Sequence, residues 1–223
     1  MVQHVYERAK MCRYLTDVVV ATDDERIASA VRRFEGRVRI TLPHHPSGTD
    51  RLAEVASAEE ASLYVNIQGD EPLIDPEAVD AAILSVLSDD GITMGTLKKR
   101  ITEPEEISNP NVVKVVTNLL NDAIYFSRSP IPFARDGESA PVYFKHIGVY
   151  VYRRDFLLQY PDLNVGPLEQ AERLEQLRAL ENGYRIRVAE TDYESIGVDT
   201  PEDLERVNQL FVAESVLVAE KNA

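Results

Sequence analysis

The chain has 223 residues, of which 44% are hydrophobic, and a formal net charge of −14. That is enough apolar material for one sizeable core, expected as a single domain over 1–223, and the acidity excludes a protein built to wrap nucleic acid, which needs a basic surface. No apolar run reaches the roughly 18 to 20 residues of a membrane span, the N-terminal segment lacks a signal peptide's apolar stretch, and the single Cys12 has neither a disulfide partner nor the companions of a zinc site, so the expected compartment is the cytoplasm.

The opening MVQHVYERAKM puts Val2, Val5, Tyr6 and Ala9 on one helical face, and DVVVATDD reads as a buried strand closed by acids. DDERIASAVRRF is a helix capped by Asp23 or Asp24 with Gly36 at its stop, and RVRIT is the next strand. After the loop LPHHPSG come a helix in TDRLAEVASA, a strand in LYVNIQ, a helix in PEAVDAAILSVL with proline at its start, and a strand in GITMGTL. Strands separated by single helices imply right-handed crossovers: an α/β fold with a doubly wound, mostly parallel sheet. The middle changes character. NVVKVV, AIYFSRSPIPFARDG and YFKHIGVYVYRRDFL alternate aromatic strands with Pro and Gly turns, predicting a small antiparallel subdomain over 112–152. The chain then returns to α/β with a helix in PLEQAERLEQLRALENG ended by Gly183, a strand in RIRVAET, and a capped terminal helix from TPEDLERV.

Ligands of open α/β sheets sit at the carboxyl ends of parallel strands. Three acidic clusters fall at such ends, ATDD (21–24), QGDEP (68–72) and GVDTPEDL (197–204). An acid there is ordinarily the N-cap of the next helix, the reading taken for Asp23 and, on its own, for Asp199. QGDEP differs: Gly69 permits close backbone approach, Pro72 stops sheet pairing, and Asp70 leaves a hydrophobic strand with its carboxylate outward. Mg²⁺ takes one or two protein carboxylates and completes its shell with water and phosphate oxygens, so Asp70 with Asp199 suffices for a site; two helix caps are the plain alternative.

Two further constellations are candidates. In HHPSGTDRLAE, Ser47, Gly48 and Thr49 expose amides at a helix N-terminus, and Arg51 points from its first turn toward the same ligand, while His44 and His45 are read as ordinary loop histidines. A capped helix with surface charges explains the same residues without a ligand. In the aromatic middle and beyond, Arg128, His146, Tyr150, Glu175 and Gln176 are polar groups in core-like segments. His146, Gly148 and Tyr150 share one strand face, and the set suits a polyhydroxylated acid, with Arg for the carboxylate; singly, each is ordinarily a satisfied core polar group.

Taken in order, ATDD, HHPSGTDRLAE, VNIQGDEPLI, NPNVVKVV, YFSRSPIPF, KHIGVYVYR, PLEQAERLEQLR and GVDTPEDLERV closely resemble the CMP-Kdo synthetase family, the 3-deoxy-manno-octulosonate (Kdo) cytidylyltransferases of lipopolysaccharide synthesis. The resemblance implies a nucleotide-diphospho-sugar transferase-like fold and Mg²⁺-dependent transfer of a cytidylyl group from CTP to Kdo, giving CMP-Kdo and pyrophosphate. Carried over by position, it implies Asp70 and Asp199 as catalytic Mg²⁺ ligands and Ser47, Gly48 and Arg51 at the CTP. It places Gln68, Arg128, His146, Tyr150, Glu175 and Gln176 at the Kdo, with Glu71 a bystander. It also implies a homodimer with contacts through the middle subdomain; the acidity and the lack of a long apolar run already set nucleic acid and membrane aside as partners.

The chain departs from the family's pattern at its start, which aligns just after a strand and a basic glycine-containing loop that grip the nucleotide. The expectation is an N-terminally incomplete enzyme with an unpaired seam in its sheet and little activity as written. A CMP-sialic acid synthetase-like cytidylyltransferase and a catalytically inactive nucleotide- or sugar-binding remnant are the alternatives. Arg128, His146 and LEQLR favour Kdo by resemblance.

Overall fold

The computed structural model of the chain describes residues 1–135 and 141–221; beyond 211 only the backbone of the terminal helix is described. Helix α1 (Val2–Ala9) turns Val5, Tyr6 and Ala9 inward, and strand β1 (Val20–Thr22) follows. Helix α2 (Glu25–Arg33) is capped by Asp24, whose side chain accepts from the Arg26 amide, and leads to β2 (Val38–Ile40), parallel to β1. Helix α3 (Gly48–Ala58), capped by Ser47, precedes β3 (Leu63–Asn66), and α4 (Pro76–Leu87), capped by Asp75 with Pro76 in its first turn, precedes β4 (Met94–Arg100). These caps satisfy amides that a helix start leaves without partners.

A short helix α5 (Pro104–Ser108) leads to the antiparallel pair β5 (Lys114–Thr117) and β6 (Ala123–Ser127), and then to the ten-residue β7 (Phe144–Arg153). Helix α6 (Arg154–Gln159) and a single 3-10 turn follow, then α7 (Pro167–Glu172), α8 (Gln176–Glu181), β8 (Ile186–Glu190) and α9 (Pro201–Lys221). In α9, Thr200 and Asp203 cap each other's amides, at 3.0 and 3.2 Å.

The main sheet runs β6-β5-β7-β4-β8, with β3 paired to β7. Strands β3, β4 and β8 share one direction; β7 lies reversed between β3 and β4. So β7, expected in the middle insertion, stands at the centre of the sheet. Its composition fits that place, because both faces are apolar: Ile147, Val149 and Val151 pack toward α4, while Tyr150 and Tyr152 pack toward α3, α6 and α8. Gly95 on β4 lets α4 approach closely, since a Cβ there would meet Val86 Cγ2 at 2.5 Å. On the same side, buried Asp80 of α4 accepts from the Arg13 and Tyr14 amides at 3.0 and 3.2 Å, tying down the segment after α1.

The helix predicted across 167–182 is broken. Arg173 adopts a left-handed conformation (φ 53°), so α7 ends at Glu172 and α8 restarts at Gln176; only the predicted stop at Gly183 (φ 82°) holds. The break is fixed by tertiary bonds to Glu172: its carboxylate accepts from Ser127 Oγ at 2.6 Å and the Arg128 amide at 2.9 Å, and its carbonyl from Arg128 Nε at 2.8 Å. Non-glycine residues held at positive φ concentrate where function is built.

The parallel pair β1–β2 forms a separate sheet. Between β1 and β3 lies a cavity of about 630 Å³, lined by Val18 to Ala21 on one side and Leu63 to Ile67 on the other. Its lining also includes Gly48, Arg51, Gln68 and Gly69.

Candidate functional site

Asp70 and Asp199 are 129 positions apart in the chain, and backbone bonding unites their loops: the Val198 amide donates to the Asp70 carbonyl at 2.9 Å. Glu71 secures the approach. It is buried, accepting from Ser195 Oγ at 2.8 Å and Tyr193 Oη at 3.1 Å, so it fastens the segment that carries Asp199. Burial raises the Glu71 pKa, the two hydroxyls oppose the rise, and the Asp70 charge adds to it. The expected bystander is therefore a strut, a role the sequence could not reveal because its partners lie more than 120 residues away. Asp70 itself is half-buried and Asp199 exposed, so both carboxylates stand at the surface of the junction. Among the described residues no cluster of three or more His, Cys, Asp or Glu forms a closed metal cage. A pair completed by water and phosphate oxygens is the arrangement Mg²⁺ accepts.

At the start of α3, Ser47 Oγ accepts from the Asp50 amide at 3.1 Å and donates to Asp50 Oδ2 at 2.5 Å. Its hydroxyl is spent on the cap, so what it offers a ligand is the amide-rich helix end. Gly48 is exposed there, and Gly48, Arg51 and Gln68 line the same cavity. Arg51 is already engaged: its guanidinium lies 3.1 Å from Asp23 Oδ1 and donates to Thr41 Oγ1 at 2.5 Å, joining the ends of β1 and β2. Asp23, read as a cap, is this arginine's partner, while Asp24 does the capping. His45 pairs with Glu54, as an ordinary loop histidine would.

The second group gathers around β7. The rings of His146 and Tyr150 are 5.4 Å apart, and a Cβ at Gly148 between them would meet nothing within 4 Å, so the strand carries an open notch. Thr96 Oγ1 lies 2.9 Å from His146 Nε2 and donates its one proton to the Val149 carbonyl at 2.8 Å, so Nε2–H is the donor and Nδ1 the free acceptor. Desolvation pushes the His146 pKa down to about 3, keeping the ring neutral. Tyr150 Oη donates to Gln176 Oε1 at 3.1 Å, and buried Gln176 Nε2 has no partner. Glu175 precedes it, half-buried at the start of α8. Arg128 is brought in through Glu172, and its Nη1 donates to the Pro110 carbonyl at 3.0 Å.

The structure thus assembles the predicted residues into two neighbouring groups. Gln68, expected beside the sugar acid, lines the cleft with Gly48 and Arg51. The His146 ring lies near that of Tyr150, Tyr150 bonds Gln176, Glu175 is bonded by Thr49 of α3, and Arg128 joins the group through Glu172. A polar atom buried without a partner is costly, so the Gln176 amide marks a place where a ligand oxygen is wanted.

Comparison with known proteins identifies the family. The cytidylyltransferase family profile matches residues 1–188. A 3-deoxy-manno-octulosonate cytidylyltransferase of Solibacter usitatus is 67% identical over 213 residues, covering 96% of this chain and 84% of that protein. One from Geobacter metallireducens is 55% identical over 217 residues, covering 93% and 85%. A solved structure of a CMP:2-keto-3-deoxy-manno-octonic acid synthetase complexed with CTP superposes with a TM-score of 0.91 at 46% identity, covering 96% of this chain and 88% of that one. With a profile spanning most of the chain and relatives identical at more than half their aligned positions, the chain belongs to the cytidylyltransferase family, among the 3-deoxy-manno-octulosonate cytidylyltransferases.

Proposed function

We propose that the chain catalyses transfer of a cytidylyl group from CTP to Kdo, with release of pyrophosphate. The observation that supports this reading is the 2.9 Å bond from the Val198 amide to the Asp70 carbonyl, which joins the loops carrying Asp70 and Asp199, the first of them continuous with Gln68 and Gly69 of the cleft lining. Asp70 and Asp199 would hold Mg²⁺, which when bound neutralises phosphate charge and lowers the pKa of a coordinated hydroxyl. The α3 amides receive the nucleotide end of CTP. The notch over Gly148 receives the sugar acid, with Arg128 toward its carboxylate and His146 Nδ1 and Gln176 Nε2 toward its hydroxyls. The protein's remaining task is alignment of two anions for in-line attack on the α-phosphorus, which needs positioning rather than a protein nucleophile.

The same reading includes the seam. A strand paired to β1 on one side and β3 on the other fits the gap between them, and supplying one is expected to raise activity. The test is pyrophosphate release from CTP, Kdo and Mg²⁺, run on this chain and on a form extended before Met1 by a strand and basic loop. Release that depends on Kdo and Mg²⁺ and is much faster in the extended form is expected. An inert extended form overturns the cytidylyltransferase assignment.

The functional unit in this reading is a homodimer joined through the β5–β6 hairpin. Strand β6 ends the sheet, and Leu119, Leu120, Ile124 and Phe133 on and beside it are exposed, Leu119 completely and Phe133 at 85%. Exposed apolar groups gathered on one edge mark an interaction surface. Sedimentation equilibrium is expected to give twice the chain mass, and Leu120→Lys with Ile124→Lys to give a folded single chain. A wild-type protein that sediments as one chain at micromolar concentration removes the dimer.

A further inference from the structure

Thr49 sits on the nucleotide helix yet reaches into the sugar-acid group. It is the second residue of α3, between Gly48 and the capping partner Asp50, and it is 1% exposed. Its Oγ1 donates to Glu175 Oε2 at 2.9 Å, and Tyr152 Oη lies 3.0 Å from the same oxygen. A threonine hydroxyl has one proton. With that proton given to the carboxylate, Tyr152 is the donor to Thr49, and burial raises the phenol's pKa so that it stays protonated.

The chain of bonds Tyr152 to Thr49 to Glu175 engages one carboxylate oxygen, Oε2, and leaves Oε1 as a further acceptor. The Glu175 backbone is fixed separately, by Tyr160 Oη donating to its carbonyl at 2.8 Å. Next to it, Tyr150 orients the Gln176 amide so that Nε2 is left as an unpartnered donor. An acceptor and a donor carried on consecutive residues match a sugar hydroxyl, which needs one of each. Positioned pairs of this kind depend on the groups behind them.

We propose that Thr49 is a positioning residue for the sugar acid: it holds the Glu175 carboxylate, and so sets the affinity for Kdo while leaving that for CTP almost untouched. The inference rests on the assignment of Glu175 and Gln176 to the sugar-acid half of the site. Thr49→Val keeps the side-chain shape and removes the hydroxyl; Thr49→Ser keeps the hydroxyl.

Calorimetric titration of the chain with CTP alone, and with Kdo at saturating CTP in the absence of Mg²⁺, reads the two affinities separately. Thr49→Val is expected to weaken Kdo binding roughly tenfold and CTP binding by less than about twofold, with Thr49→Ser near wild type. Tyr152→Phe, which removes the donor behind Thr49, is expected to weaken Kdo binding by a few-fold, and it gives an independent reading should Thr49→Val fold poorly. Equal losses for both ligands, or unchanged Kdo binding in Thr49→Val and Tyr152→Phe, overturn the proposal. Glu175→Gln is titrated alongside: if it binds Kdo as wild type does, the sugar-acid assignment itself fails, whereas a weakened Glu175→Gln beside a normal Thr49→Val removes only the role of Thr49.

Discussion

Asp70→Asn is expected to lower pyrophosphate release by a factor on the order of 10² to 10³ or more, measured in the strand-extended form at fixed CTP, Kdo and Mg²⁺. The substitution keeps the shape and one acceptor oxygen and deletes the charge. Because charge at Asp70 also helps raise the pKa of Glu71, its removal relieves a repulsion and leaves the fold intact. The thermal midpoint is therefore expected to stay within a few degrees of wild type, which separates a catalytic loss from an unfolding one. Asp199→Asn is expected to fall in the same range, and the double variant to lose little beyond either single one, as groups that act as a unit do. Raising Mg²⁺ is expected to recover part of the single-variant loss. An Asp70→Asn protein with more than about a tenth of wild-type activity would remove these carboxylates from the chemistry and return Asp199 to the role of a loop acid.

Arg178→Ala is expected to be the most destabilising single substitution among the polar residues, costing about 3 to 5 kcal/mol in urea unfolding. Arg178 is 6% exposed, and its Nε and Nη2 donate to the two oxygens of buried Glu169 at 2.8 and 2.6 Å. Asp50 Oδ1 lies 3.9 Å from Nη1, and the guanidinium carbon stands 4.6 Å over the Tyr160 ring. The bidentate bond to Glu169, foremost, raises the Arg178 pKa, so the cation is retained despite burial. Truncating it strands two buried carboxylates, and that uncompensated charge is the source of the cost. Two variants test the cause. Arg178→Lys is expected to recover little, since a point charge cannot reproduce the fork. Arg178→Met with Glu169→Leu is expected to be less destabilised than Arg178→Ala, because it removes charges from both sides. A loss below about 1 kcal/mol for Arg178→Ala would mean that water reaches the cluster and screens it.

The regular parts of the fold were legible because their causes are local. Asp24 caps α2 and Pro76 opens α4 as their local sequence implies, and the strands before them carry β-branched residues. The candidate site residues come from motifs, and the structure gathers them into two groups. What escaped was decided by distant partners. Nothing within PLEQAERLEQLRALENG announces a break at Arg173, because its residues favour helix and the break is held by Ser127 and Arg128 at the end of β6. Glu71 looked superfluous beside Asp70 because Tyr193 and Ser195 meet it only after folding. Strand β7 was grouped with its sequence neighbours, and only its two apolar faces hinted that it lies between β3 and β4. Arg51 lines the cleft, but Asp23 across the strand ends already shares its charge, a pairing no local motif announces.

The cavity between β1 and β3 also bears on colloidal behaviour. Strand edges that face a gap instead of a neighbour are templates for another chain's backbone, and such edges promote sheet-to-sheet association. The net charge of −14 opposes it, because copies of the molecule repel one another before their edges meet. That repulsion reaches only about 10 Å in 0.1 M salt and about 3 Å in 1 M salt. Acidity that contributes nothing to phosphate binding thus acts as a salt-sensitive guard over an open sheet, strongest in dilute buffer and weakest in concentrated electrolyte.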